Sequence, residues 1–97
     1  MMTNHQIVLR LTNIKLEKHG HINYEEIVKI SEIAGLKSMD ELALRNFRDF
    51  VTLYFLSIKK DPTGPDFNRE EDIDNRDLCS AIQAVVDFEL FSREEKR

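Results

Sequence analysis

Apolar positions recur along this chain mostly at helical spacing. Ile7, Leu11 and Ile14 fall at i, i+4 and i+7, and Val8, Leu9 and Leu16 widen the stripe, the pattern of an amphipathic helix. The spacing predicts a first helix from about Asn4 to Lys18, with Thr3 or Asn4 as its cap. Residues 6–11 also admit a strand reading, because Ile7-Val8-Leu9 is a β-friendly run. Gly20, within His19-Gly20-His21, suits a left-handed C-terminal position.

A second helix should open at Asn23, with Glu26 at capping-box distance. Ile27, Ile30, Ile33 and Ala34 give it one apolar face, and Gly35 stops it. Ser38-Met39-Asp40-Glu41 matches the capping box again, with acids where the helix dipole favours them. The third helix is predicted from Met39 to about Lys59, closed by Asp61-Pro62. From Phe50 onward its apolar residues point almost all round, which marks a helix buried on every side. At about 21 residues it would be about 31 Å long and central to the fold. After a turn at residues 61–65, Asn68 and Glu71 repeat the capping-box spacing. The fourth helix either runs unbroken to about Ser92 or restarts at Asp74 or Asn75. Leu78, Ile82, Val85 and either Phe88 or Glu89 set its stripe, and the charged tail from Arg93 should fray.

These elements predict an all-α fold, a small four-helix bundle (or three long helices plus one short) in one domain over residues 1–97. Composition agrees: 41% of the 97 residues are apolar, 33% are charged, and there are only three Gly and two Pro. The lone Cys79 fits a reducing, cytoplasmic setting. Residues 1–10 lack the features of a signal peptide. The longest apolar stretch, Val51 to Ile58, falls far short of the roughly 20 residues a membrane span needs.

Chemistry is sparse. His19 and His21 have no Cys partner nearby, and no His-x3-His pair lies on a helix face, so no metal ligands are assigned. The acid-rich stretch fails calcium-loop spacing. Nucleophile elbows and phosphate-cradling glycine loops are absent, and no cofactor is implied. Cys79 reads as a small packed residue; a reactive thiol would want a basic neighbour such as Arg76. The expectation is therefore a non-enzymatic chain with no catalytic residues.

Charge separates two functional readings. The net charge is −4. Residues 1–60 hold nine basic side chains against seven acidic ones, and residues 61–97 hold five against eleven. Asp66, Glu70, Glu71, Asp72, Asp74 and Asp77 crowd into twelve residues. One reading makes this an acidic docking patch on a regulatory protein that binds another protein. The aromatic third helix also needs cover, which points to a homodimer. The other reading is a helix-turn-helix regulator over residues 24–50. Ile33-Ala34-Gly35-Leu36-Lys37-Ser38 resembles the turn of AraC-type regulators, over about 20 residues. That resemblance implies DNA binding, with Lys37, Arg45 and Arg48 as the local positive charges. Against it, the recognition helix would start Met39-Asp40-Glu41 and aim carboxylates at phosphates.

Overall fold

The computed structural model describes residues 2–96. Within them the chain forms a bundle of four helices: α1 (Asn4–Leu11), α2 (Tyr24–Ala34), α3 (Glu41–Ser57) and α4 (Arg69–Glu95). A 3-10 turn at Leu36–Ser38 links α2 to the approach of α3. Among the described residues there is no strand, only an isolated bridge between Lys18 and His21. Residues 6–11 are therefore helical.

Local capping explains most of these starts. The Thr3 hydroxyl accepts the Gln6 N–H while the Gln6 side chain accepts the Thr3 N–H. Asn23 and Glu26 make the same reciprocal pair at the start of α2. The Asn68 side chain accepts the Glu71 N–H at the start of α4. Helix α2 stops at Gly35, whose φ of +65° a side chain would strain.

Several expectations need correction. Helix α1 ends at Leu11, well before Lys18. The Thr12 hydroxyl donates to the Leu9 carbonyl at 2.6 Å, and Asn13 and Ile14 donate back three residues to Arg10 and Leu11. The chain tightens and turns there, yet Ile14 stays buried. Gly20 is left-handed, but it serves the tight Lys18–His21 turn instead of a helix end. Helix α3 is capped by Asp40, whose carboxylate accepts the Ala43 N–H at 2.7 Å, and not by Ser38. Finally, α4 is unbroken over 27 residues. At 1.5 Å per residue it is about 40 Å long, so α4, not α3, is the spine. The tail expected to fray from Arg93 is helical through Glu95.

Helix α4 packs along α3 on one side and α2 on the other, and α1 packs on α2 and α3. Leu78, Ala81, Ile82, Val85 and Val86 of α4 meet Leu44, Phe47, Val51 and Phe55 of α3. Ile7, Val8, Leu11, Ile30, Ala34 and Leu36 complete the core. Helix α3 is not buried on every side: Leu53 is 65% exposed and Leu56 61%. One apolar stripe suffices to hold it, so its outer leucines stay in solvent. No helix among the described residues is long and apolar enough to cross a membrane.

Candidate functional site

Each predicted site residue now has a place. Four of the six acids, Glu70, Glu71, Asp74 and Asp77, line one opening together with Lys15 and His19. Asp66 lies in the loop before α4, and the other five lie on its first turns. Asp77 sits 2.9 Å from His19 Nδ1, with Asp74 at 3.8 Å from the same atom. Glu71 turns towards Lys60 at 3.8 Å, and Asp72 lies 4.0 Å from Arg76 one turn on. Only Asp66 and Glu70 lack an ion-pair partner among the described residues. Acids in the first turn also suit the helix dipole, so much of this charge serves α4 itself.

The basic residues of the DNA reading are also engaged. Lys37 Nζ lies 3.4 Å from Glu89, Arg45 pairs with Glu41 at 3.0 Å, and Arg48 forks onto Asp87 at 2.9 and 3.3 Å. Helices α2 and α3 do not form the packed pair that a helix-turn-helix needs; each packs principally on another helix.

Cys79 is half-buried beside a cleft of about 280 Å³ that Phe55, Leu56 and Phe67 also line. Burial pushes its thiol above the usual range, opposed in part by the charge of Arg48 and not of Arg76. The neutral thiol is thereby favoured over the reactive thiolate.

Two long-range ties were invisible in the sequence, although Glu26 itself was legible as a cap. Glu26 is buried, and besides closing its own cap its carboxylate accepts the Glu17 N–H at 3.0 Å. It thus ties the irregular segment after α1 to the start of α2. Arg93 donates to the Leu36 and Lys37 carbonyls at 3.1 and 3.4 Å, and to Glu89 at 3.1 Å. Glu89 therefore holds both Lys37 and Arg93, and this knot fixes the 3-10 turn against the end of α4.

Beside the knot lies a wide opening with an apolar lining. A groove of about 650 Å³ runs between α2 and the second half of α4. Tyr24, Ile27 and Val28 form one wall, and Val85 and Phe88 the other. Tyr24 is 79% exposed and Phe88 59%; Phe91, one turn on, is 59% exposed as well. Large aromatics that stand in solvent around an apolar groove are the residues most enriched at protein interfaces. The sequence offered Phe88 or Glu89 as the end of the packed α4 stripe, yet Phe88 is exposed, and its partner wall on α2 was out of reach because the two segments lie about 60 residues apart. Comparison with protein-family models, characterised proteins and solved structures finds no match to this chain.

Proposed function

We propose that this chain is a small non-enzymatic regulatory protein that works by binding another protein molecule through the groove between α2 and α4. The observation that carries this reading is the pair of exposed aromatics, Tyr24 and Phe88, on opposite walls of one apolar groove. Aromatic anchors in a desolvated centre supply most of the energy of a protein interface, while the polar rim supplies specificity. The acidic first half of α4 is the weaker surface, since four of its five carboxylates already face a basic partner. Its remaining charge steers encounters and discourages nucleic acid.

The test is photo-cross-linking in living cells, with p-benzoylphenylalanine in place of Phe88 or, separately, of Glu70. The groove reading expects a discrete protein adduct from position 88 and none from position 70. An adduct from position 70 alone would overturn it in favour of the acidic surface. Silence at both positions would remove protein binding through either face.

A further inference from the structure

We infer that the occupant of the α2/α4 face is a second copy of this chain, docked about a two-fold axis. The inference rests on the reading of that face as the binding surface, and names its partner.

Surface area is the first argument. The chain exposes 6996 Å², whereas a monomeric protein of 11.4 kDa exposes about 5,800 Å². The excess, about 1,200 Å², is more than the roughly 800 Å² per partner that a standard interface covers. The shape agrees. The radius of gyration is 14.0 Å, against about 12.5 Å for a compact chain of this length. The extents of 50 × 26 × 20 Å describe a rod with a long flank to cover.

Self-complementarity is the second. A two-fold interface sets a patch against itself, so the patch must carry both projections and a recess. Phe88 projects from α4 at the wall of the 650 Å³ groove, and Phe91 is exposed one turn on. Two copies of α2 and α4 brought together make a four-helix packing of the kind the monomer already uses.

Charge is the third, and it chooses between faces. Around the groove, Glu32 and Glu89 are balanced by Lys37 and Arg93. Such a rim meets its own copy without net repulsion. Residues 66–77 carry six acids against Arg69 and Arg76, so a two-fold through that half would set like charge against like.

Sedimentation equilibrium of the purified full chain from about 1 to 100 µM tests this. The expected mass is twice 11.4 kDa, falling to 11.4 kDa in Phe88→Asp with an unchanged far-UV helical spectrum. Phe88 is exposed, so the substitution leaves the monomer fold intact. Phe91→Asp gives an independent second variant with the same expected loss, and Leu53→Asp on the far side of α3 stays dimeric. A wild-type mass of 11.4 kDa throughout overturns the inference. So does a dimer that survives both phenylalanine substitutions or dissociates in Leu53→Asp. If the wild type is monomeric while position 88 still yields an adduct of another mass in cells, the second copy is excluded and the groove reading stands.

Discussion

From Arg69 to Asp77 the outer surface of α4 is acidic, and its carboxylates meet His19, Lys60 and Arg76. From Val85 onward the outer surface carries Phe88 and Phe91 instead, next to an apolar groove. The core stripe lies between the two, from Leu78 to Val86. The middle of the helix therefore holds it to the bundle, while only its second half leaves large apolar side chains in water. Four of the five acids on the first half face a basic partner, whereas Phe88 and Phe91 on the second half stand in solvent. That contrast directs attention to the groove.

Several substitutions break or sharpen it. The largest effect belongs to the shared stripe. Ile82 is fully buried, so Ile82→Ala should cost about 2–5 kcal/mol and lower the midpoint of thermal unfolding by many degrees. A small loss would mean that the two halves are not held by a common core. Next comes the wall of the groove. Glu26→Ala strands the Asn23 and Glu17 N–H groups, which should cost about 1–3 kcal/mol. That corresponds to a fall of about 4–8 °C per kcal/mol for a chain of this size. Arg93→Met removes the donor to the Leu36 and Lys37 carbonyls and should cost about 1–2 kcal/mol by chemical denaturation. It should also loosen the groove end, seen as faster amide exchange around residues 36–39. The acidic half responds least. Glu71→Gln breaks only an exposed pair with Lys60 and should change stability by no more than about 0.5 kcal/mol. A cost above 1 kcal/mol would make that half structural.

Cys79 adds a pH signature between the halves. Burial raises its thiol in the folded chain, so the folded state holds its proton where the unfolded state has lost it. The resulting stability is complete below the unfolded value of about 9.0 and is lost as pH rises above it. Cys79→Ala should flatten the decline in stability above pH 9 that this group causes, measured by denaturant titration across that range.

The parts of the fold that are local were legible. Thr3 with Gln6, Asn23 with Glu26 and Asn68 with Glu71 are four-residue signals, and each pair lies where its helix begins. The end of α1 was misread for a physical reason: Ile14 is buried from an irregular segment, so helical spacing of apolar residues persists after the helix has stopped. The breadth of the apolar pattern on α3 also misled, because Leu53 and Leu56 remain exposed. Clustering of acids in sequence suggested a patch; Glu70, Glu71, Asp74 and Asp77 do line one opening, but the partners His19 and Lys60 that face Asp77 and Glu71 were not legible. The groove was out of reach of any local pattern. It exists only where residues 24–38 meet residues 85–92, and the Glu89–Arg93 knot that fixes that meeting is equally long-range.

Hydroxyl-radical footprinting in intact cells, set against dilute purified protein, tests most directly whether the α2/α4 face is the working surface. Tyr24, Phe88 and Phe91 should be labelled strongly in the dilute protein and be protected in cells, while Leu53 and Leu56 on the outer face of α3 are labelled equally in both. Equal labelling of the three aromatics in both conditions, or protection confined to the α3 leucines, would contradict it.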